Sequence, residues 1–207
     1  MGKLVCIVGN SGVGKTALAK RLSQLASFDT GLEQHMERPF QKLFSMEHQR
    51  YALANQVDYL LLRAEQELVI RKSSMDGIID GGLDLDFHIF SRLFLQKGYL
   101  SQADFEICQR IYYLLREFLP PPEVVVYLSA PLPEIMSRYA KRGRKLEIAT
   151  IEDLEMMQIL LQDWTSSINK SSLITVDASI EDEEFAKSGE EILQKIQALL
   201  GSRIPSL

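Results

Sequence analysis

The sequence has few of the residues that define several common classes of protein. It contains two cysteines and three histidines among 207 residues, so it predicts neither a disulfide framework nor a zinc site. Acidic residues outnumber basic ones by 28 to 23, and the net charge of −5 argues against a general nucleic-acid or anionic-membrane binder. No apolar run approaches the roughly 18 residues of a membrane-spanning helix, and no signal peptide precedes the first apolar segment. We therefore expect a cytoplasmic protein with Cys6 and Cys108 in its core.

The remaining composition is that of an ordinary globular protein. Hydrophobic residues make up 46% of the chain and charged residues 25%. A length of 207 residues is sufficient for one α/β domain with a buried core. Because neither an internal repeat nor a linker interrupts the sequence, we predict a single domain over residues 1–207.

A phosphate-binding pattern lies close to the N-terminus. Residues 9–16 read GNSGVGKT and match G-x-x-x-x-G-K-S/T at every fixed position. An apolar run precedes the pattern and a helical pattern follows, which is the strand, turn and helix context of a phosphate loop. Lys15 supplies a cation for the β- and γ-phosphates of ATP, and Thr16 offers a hydroxyl to Mg²⁺. The predicted nucleotide-binding residues are Gly9, Asn10, Ser11, Gly12, Val13, Gly14, Lys15 and Thr16. A chance match in a glycine-rich turn is the alternative.

Short apolar runs alternate with helical patterns along the rest of the chain. Strands are predicted at about residues 4–8, 77–80, 123–128 and 172–177, with a further short strand that ends near Glu33. The longest helical pattern covers about residues 46–72, with polar Gln56, Arg63 and Glu67 opposite its apolar face. Helices between successive strands form a parallel sheet that is covered on both faces. The predicted fold is a three-layer α/β P-loop kinase fold, with a five-stranded parallel sheet flanked by helices and a helical lid.

Two carboxylates fall where predicted strands end. Asp80 closes the apolar run of the third strand, and Glu33 closes the second. Ligands of an open α/β sheet bind at this edge, so both side chains are candidates for catalysis. One can accept the proton of a hydroxyl nucleophile, and the other can hold Mg²⁺ directly or through water. A helix cap or a solvated strand end is the alternative for each.

A basic cluster follows the fourth strand. Spacing of i, i+4 places Arg138 and Arg142 on one helix face, and Gly143 allows a bend that brings Arg144 toward the same point. Arginine suits this place because its planar fork matches phosphate oxygens. We predict a closing lid over about residues 138–150. The alternative is a solvated charge run.

Taken in order, these residues resemble the deoxynucleoside kinase family, in particular its bacterial deoxyadenosine/deoxyguanosine kinase branch. The similarity extends over essentially the whole chain. Glu33 and Pro39 match the family's Glu-Pro and Asn-Pro loop, and residues 51–56 match its aromatic-Ala-Phe-x-x-Gln helix start. Asp80 matches the acidic residue after the third strand. Residues 138–147 match the lid pattern Arg-x-x-x-Arg-Gly-Arg-x-x-Glu.

The resemblance implies a role for each of these side chains. Glu33 would take the proton from the 5′-hydroxyl, Gln56 would pair with the nucleobase, and Glu147 would reach the sugar 3′-hydroxyl. Arg63 and Asp86 would assist Gln56. The implied catalytic residues are Glu33, Lys15, Asp80, Arg138, Arg142 and Arg144. Thr16 and Asp80 would hold Mg²⁺, directly or through water. The resemblance also implies nucleotide salvage and a homodimer formed through the long helices. A surface glutamine is the alternative for Gln56.

The sequence departs from the family at several positions. Gly81 and Gly82 stand where the family has Arg-Ser, and that arginine normally lies beside the 5′-hydroxyl and the phosphates. Phe87 replaces a further frequent arginine, and Ser45 falls where a sugar-contacting tyrosine is usual. Loss of an active-site arginine can reduce a rate by several powers of ten. One hypothesis is that Arg38, which replaces an asparagine of the family, supplies the cation instead.

Three functions are consistent with these residues. The leading hypothesis is a kinase that transfers phosphate from ATP to the 5′-hydroxyl of a deoxynucleoside. A nucleoside monophosphate kinase of the thymidylate kinase type would need extra cations for its acceptor, and the Gly81-Gly82 pair speaks against it. A nucleotide-binding homologue with little activity is supported by the missing arginine. The accepted base stays open because the Gln56 amide can suit adenine-like or cytosine-like edges by flipping.

Overall fold

The computed structural model describes residues 1–31, 38–142, 150–179 and 182–201. Within this part of the chain, five parallel strands form one sheet with the order β2-β3-β1-β4-β5. The strands are β1 (Leu4–Gly9), β2 (Asp29–Gly31), β3 (Gly77–Asp80), β4 (Val124–Ser129) and β5 (Leu173–Asp177). In the pairing of β1 with β3, Ile7 lies opposite Asp80. The predicted five-stranded parallel sheet is therefore confirmed, and β3 ends beside the phosphate loop.

The sheet is buried because helices cover both of its faces. The main helices are α1 (Lys15–Leu25), α2 (Gln41–Met46), α3 (His48–Lys72), α4 (Leu83–Leu85), α5 (Arg92–Gln96), α6 (Gln102–Phe118), α7 (Leu132–Arg142), α8 (Asp153–Ser167) and α9 (Gly189–Leu200). A π-helical turn (Asp86–Ser91) joins α4 to α5, and 3-10 turns cover Lys170–Ser172 and Glu183–Phe185. None of the helices in the described ranges is long and apolar enough to cross a membrane.

Alternate residues of β1 enter two hydrophobic clusters on opposite faces of the sheet, as the two-residue period of a strand requires. Val5 and Ile7 pack with side chains of α1 and α9. Leu4, Cys6 and Val8 pack with side chains of α3, α5, α6 and α8. Each fully buried leucine or isoleucine stabilises the fold by about 1.5–3 kcal/mol. The two cysteines are buried and form no disulfide, as expected from the sequence.

The helical region before β3 differs from the prediction in two ways. A separate helix, α2, precedes α3, and the non-helical conformation of Glu47 (φ −140°, ψ 82°) divides them. The polar residues placed opposite the apolar face of α3 are also buried: Gln56 is 1% exposed, Arg63 4% and Glu67 0%. They are buried because α3 packs them against polar groups of the end of β3, the π-helical turn and α6, as the contacts below show.

The last helix, α9, begins at Gly189 and follows the 3-10 turn Glu183–Phe185. Glu184 and Phe185 have positive φ angles of 52° and 60°, which a continuous helix does not allow. At the start of α6, Ser101 and Asp104 form a reciprocal capping box.

Candidate active site

The phosphate loop lies between the end of β1 and the start of α1. Gly12 and Gly14 have φ angles of 86° and 112°, which side-chain-bearing residues rarely adopt. A Cβ atom on Gly12 would lie 3.2 Å from the backbone nitrogen of Tyr139, and one on Gly14 would lie 3.3 Å from the ring of Phe185. Both positions therefore require glycine for two reasons. The backbone has a positive φ there, and α7 approaches Gly12 and the 183–185 turn approaches Gly14 too closely for a side chain.

Two side chains of the loop brace it. The Lys15 ammonium group donates to the backbone carbonyls of Gly9 and Asn10, each at 3.1 Å, and so lies across the loop. The Asn10 side chain is 1% exposed and donates to the Leu154 carbonyl at 2.8 Å. Its carbonyl oxygen accepts the Ser11 backbone N–H at 2.8 Å. The motif marks Asn10 only as a variable position, so the sequence does not predict this contact with α8.

Thr16 and Asp80 connect the loop to the neighbouring strand. The Thr16 hydroxyl donates a hydrogen bond to the carboxylate of Asp80, which is 2% exposed. A hydroxyl and a carboxylate are the hard oxygen ligands that Mg²⁺ prefers, and Mg²⁺ commonly takes the rest of its shell from phosphates and water. The described residues contain no cluster of three or more His, Cys, Asp or Glu side chains suited to a metal ion. Thr16 and Asp80 fit an ion bound mainly through the nucleotide.

The predicted acceptor residues lie together beside Asp80. The Arg63 Nε donates to the Asp86 carboxylate at 2.8 Å, and its Nη1 donates to the Asp80 backbone carbonyl at 3.2 Å. The Gln56 side-chain amide donates to the Asp86 backbone carbonyl at 2.8 Å. Asp86 opens the π-helical turn and is 5% exposed. π-Helical turns often occur at functional sites. One polar cluster therefore joins α3, the end of β3 and this turn.

A second buried polar cluster lies on the same helix, α3, one turn further on. The Arg116 guanidinium of α6 donates to Glu67 at 2.7 and 3.0 Å and to Asp84 at 3.0 Å, and the Tyr112 hydroxyl donates to Asp84 at 2.6 Å. Burial raises the pKa of Glu67, and the hydrogen bond from Arg116 offsets part of that effect. Burial alone would lower the pKa of Arg116, but the nearby carboxylates of Asp84 and Glu67 have the larger effect, so the pKa of Arg116 is raised. Sequence reasoning missed this cluster, because nothing local marks its partners.

An aromatic group packs beside Asp86 and the second cluster. The rings of Phe87 and Tyr112 stack with centroids 4.1 Å apart, and those of His88 and Trp164 with centroids 5.4 Å apart. The His88 Nε2 lies 3.2 Å from the Tyr112 hydroxyl. Burial lowers the pKa of His88 to about 4, so its ring is neutral near pH 7. The π-helical turn that carries Asp86 is thus packed against α6 and α8 through the stacked rings of Phe87 and His88.

A cleft of about 780 Å³ opens beside the phosphate loop. Its walls include Gly12, Gly14, Arg138, Asp177, Phe185 and Lys187. Arg138 is held at its edge, because Nη1 donates to the Ala178 carbonyl at 2.7 Å and Nη2 lies 3.6 Å from the Glu134 carboxylate. This volume suits a nucleoside-sized group.

Of the remaining predicted residues, some lie within the part of the chain that the structure describes and others do not. Helix α7 ends at Arg142, within the predicted lid. Glu33, Arg144 and Glu147 lie outside the described residues. Arg38 donates to both carboxylate oxygens of Asp58 on α3, at 2.7 and 2.5 Å. This bidentate pair gives Arg38 a partner other than a phosphate, which weakens the hypothesis that it replaces the missing arginine.

The phosphate loop on a five-stranded parallel sheet, with a buried polar cluster at the end of the neighbouring strand, is the arrangement of a P-loop kinase fold. The family model for deoxynucleoside kinases matches residues 5–201, so the chain belongs to the deoxynucleoside kinase family. The protein is accordingly a phosphotransferase that acts on the hydroxyl group of a deoxynucleoside.

Individual relatives agree with this assignment. The chain is 26% identical over 203 residues to a deoxyadenosine/deoxycytidine kinase of Bacillus subtilis, covering 95% of this chain and 93% of the relative. It is 27% identical over 204 residues to a deoxyguanosine kinase of the same organism, covering 95% and 97%. A deoxyadenosine kinase from M. mycoides, solved with dCMP and dCDP, superposes with a TM-score of 0.80 at 21% identity, covering 94% of this chain and 99% of that one. This last likeness concerns the fold.

Proposed function

We propose that the protein transfers the γ-phosphoryl group of ATP to the 5′-hydroxyl of a deoxynucleoside, with ADP and the 5′-monophosphate as products. The observation that carries this proposal is that the phosphate loop and the proposed acceptor cluster both form hydrogen bonds with Asp80. Its carboxylate accepts a hydrogen bond from Thr16 of the phosphate loop, and its backbone carbonyl accepts one from Arg63 of the acceptor cluster. A phosphate donor and an acceptor bound to these two groups would face each other across one residue.

The donor is proposed to bind along the phosphate loop. The loop amides and Lys15 would hold the β- and γ-phosphates, and the cleft between Gly12 and Phe185 would take the rest of the nucleotide. Thr16 and Asp80 would hold Mg²⁺, which neutralises charge on the phosphates when bound. Both side chains act from fixed positions, since Thr16 is on the first turn of α1 and Asp80 is the last residue of β3.

The acceptor is proposed to bind against Gln56, Asp86 and Arg63. Gln56 can form paired hydrogen bonds with a nucleobase, and its amide suits more than one base according to its orientation. The two B. subtilis relatives are named for deoxyadenosine, deoxycytidine and deoxyguanosine, which are therefore the first acceptors to test.

The remaining roles rest on the family resemblance. Glu33 would accept the proton of the 5′-hydroxyl as the oxygen attacks the γ-phosphorus. Arg138, Arg142 and Arg144 of the lid would stabilise charge on the migrating group, and Glu147 would bind the 3′-hydroxyl of the sugar. Arg138 already lies at the edge of the cleft beside the phosphate loop, which supports a lid that closes from α7.

We propose a homodimer formed through α3 and α6. These helices carry exposed apolar side chains: Leu61 is 47% exposed, Leu68 41%, Leu114 60% and Phe118 78%. Spacing of i, i+7 places Leu61 and Leu68 on one face of α3, and apolar patches of this kind often mark interfaces. The net charge of −5 favours a small-molecule acceptor over nucleic acid or an anionic membrane. Cytoplasmic nucleotide salvage is the corresponding cellular role.

The test is transfer of radiolabelled phosphate from ATP, with and without Mg²⁺, to deoxynucleosides and to their 5′-monophosphates. We expect labelled monophosphates from at least one deoxynucleoside and no labelled diphosphates. Labelled diphosphates would support the monophosphate kinase alternative. Thermal stabilisation by ATP alone, without transfer to any acceptor, would support a nucleotide-binding homologue with little activity. That alternative is considered because Gly81 and Gly82 stand where the family has an arginine and a serine.

A further inference from the structure

The side chain of Asn10 joins the phosphate loop to a helix that is distant in the sequence. Its Nδ2 donates to the Leu154 backbone carbonyl at 2.8 Å and to the Gln158 side-chain oxygen at 3.1 Å. Both acceptors belong to α8 and lie 144 and 148 residues along the chain. Its Oδ1 accepts the backbone N–H of Ser11 at 2.8 Å. Both donor hydrogens of the amide are therefore used within the protein, and none is left for a phosphate.

The first turn of α8, to which Asn10 bonds, is itself held from outside the loop. The Asp153 side chain is 5% exposed, and its carboxylate accepts a hydrogen bond from the Lys97 ammonium group. The same carboxylate accepts the Thr150 backbone N–H at 2.7 Å, which caps the start of the helix. Leu154 is fully buried in the next position. Its carbonyl therefore gives the Asn10 side chain a fixed point of attachment.

The backbone of Asn10 in turn holds the lysine of the phosphate loop. The Lys15 ammonium group donates to the carbonyls of Gly9 and Asn10, each at 3.1 Å. These carbonyls belong to the two peptide groups that flank the Cα atom of Asn10, so a rotation of this residue would move both acceptors. The Val13 N–H also donates to the Asn10 carbonyl, at 3.3 Å. The position of Asn10 therefore determines where Lys15 and the turn of the loop lie.

We propose that Asn10 is a positioning residue, whose side chain holds the phosphate loop and Lys15 in the arrangement that binds the β- and γ-phosphates of the donor. The inference rests on the proposed function. The side chain does not touch the nucleotide; it acts through the loop. Such an anchor is needed because Gly12 and Gly14 give the loop many alternative conformations, and ordering a loop during binding reduces affinity.

This role has consequences that a loss of stability alone would not have. A population of unfolded protein weakens the apparent binding of every ligand by the same factor. A displaced phosphate loop weakens binding of the donor but spares the deoxynucleoside, which is proposed to bind against Gln56, Arg63 and Asp86. The ratio of donor to acceptor affinity therefore separates positioning of the loop from stability.

Gln158 separates an indirect role of Asn10 from direct contact with the nucleotide. Gln158 lies on α8 and bonds to the Asn10 amide, so it can influence the donor only through Asn10. Its removal should weaken donor binding in the wild-type background and have no further effect once Asn10 is replaced. If Asn10 instead bound the nucleotide directly, removal of Gln158 would leave donor affinity unchanged or raise it.

The experiment measures binding of a non-hydrolysable ATP analogue with Mg²⁺, and separately of deoxyadenosine, deoxyguanosine and deoxycytidine, by calorimetry. The proteins are wild type, N10A, Q158A, N10A/Q158A and the control Q162A, which changes an exposed glutamine one turn further along α8. We expect N10A to weaken binding of the analogue about ten- to a hundredfold, as for loss of up to three buried hydrogen bonds, and deoxynucleoside binding less than about threefold. Q158A should weaken binding of the analogue about two- to fivefold, since one bond is lost.

The remaining proteins complete the test. N10A/Q158A should bind the analogue as N10A does, and Q162A should match wild type. Equal weakening of analogue and deoxynucleoside in N10A, or a full additional effect of Q158A in the N10A background, would overturn the proposal. If N10A does not fold, N10S is measured instead; it also lacks the amide donors, so unchanged binding of the analogue would refute the role.

Failure of this inference can be told apart from failure of the proposed function. An active wild type with unaltered donor affinity in N10A refutes only the role of Asn10. A wild type that binds the analogue but phosphorylates no deoxynucleoside refutes the proposed function, while the effect of N10A on donor affinity still decides the role of Asn10. A wild type that does not bind the analogue refutes both.

Discussion

The hydroxyl of Thr16 donates a hydrogen bond to the carboxylate of Asp80, which connects the first turn of α1 to the end of β3. The bond joins the two elements from which a magnesium–nucleotide complex would be held. It forms because β3 pairs with β1 so that Asp80 lies opposite Ile7, two residues before the loop begins at Gly9.

Replacement of Thr16 by valine tests this pair. The variant keeps the size and β-branching of the side chain but removes the oxygen that would bind Mg²⁺. We expect kcat to fall about 10²-fold and the Mg²⁺ concentration for half-maximal rate to rise, because loss of one well-placed polar ligand has effects of this size. T165V is the control, since the Thr165 hydroxyl is also buried but bonds to the Leu161 carbonyl in α8. An unchanged Mg²⁺ dependence in T16V would contradict the assignment.

Glu33 is predicted to be the general base, and E33Q removes the basic oxygen while it keeps the shape of the side chain. We expect kcat to fall about 10²–10⁴-fold, the usual contribution of a positioned base, while the dissociation constant of the deoxynucleoside stays within about threefold of wild type. Single-turnover transfer and equilibrium binding measure the two quantities separately. E37Q changes a second glutamate of the same segment and should be fully active. A fully active E33Q would remove Glu33 from the mechanism.

The fold and family could be predicted from the sequence because both depend on local patterns. Runs such as Leu4–Gly9 and Val124–Ser129 are β-branched or apolar and flanked by helical patterns, which is sufficient for a parallel sheet. The phosphate loop is specified by residues 9–16 alone. The clustering of Gln56, Arg63 and Asp86 followed from the family resemblance, and their roles in substrate binding stay predictions.

What could not be predicted depends on partners that are distant in the sequence. The helical pattern of α3 predicts Glu67 on the face opposite the apolar one, yet Glu67 is buried because Arg116, 49 residues later, donates a hydrogen bond to it. The positive φ angles of Glu184 and Phe185 have no local signal, since neither residue is glycine. They still determine where the ring of Phe185 packs against Gly14.

Gly14 should not tolerate even the smallest side chain. The backbone at this position has a φ of 112°, and a Cβ atom there would lie 3.3 Å from the ring of Phe185. Strain of this kind costs about 1–3 kcal/mol, so we expect G14A to weaken ATP–Mg²⁺ binding about tenfold or more in calorimetry. Gly98 is the matched control, because its φ is also positive, at 67°, but a Cβ atom would have no neighbour within 4 Å. G98A should bind ATP as wild type does; equal effects of the two substitutions would refute the proposed steric reason.

Arg116 is expected to be essential for stability, because R116M leaves Glu67 and Asp84 buried without their shared cation. Breaking a buried ion pair from one side costs about 3–5 kcal/mol, which urea unfolding can measure. R92M is the control, since Arg92 pairs with Asp163 on the surface, where 37% and 67% of the two side chains are exposed. Its effect should be below about 1 kcal/mol.

The pH dependence of R116M gives a further check on the same pair. Burial already raises the pKa of Glu67 above its ordinary 4.5, and loss of Arg116 should raise it further. Between the two pKa values the folded state binds more protons than the unfolded state, so the stability of R116M should rise, relative to wild type, as pH falls from 7 toward 5. The double variant E67Q/R116M should lose much of that rise. A flat difference between R116M and wild type would contradict the buried carboxylate as its cause.

His88 should contribute stability that is lost in acid. Burial lowers its pKa to about 4 from 6.5; Arg92 and Arg116 lower it further, while Asp84 and Asp163 oppose them. The unfolded chain therefore binds a proton as pH falls below 6.5 while the folded chain does not, which removes about 1–2 kcal/mol of stability between pH 7 and pH 5. We expect the free energy of unfolding of H88Q to vary less over this range than that of wild type, by urea titration at each pH. H48Q removes a histidine outside this aromatic group and serves as the control. If H88Q keeps the wild-type slope, another group must account for the acid sensitivity.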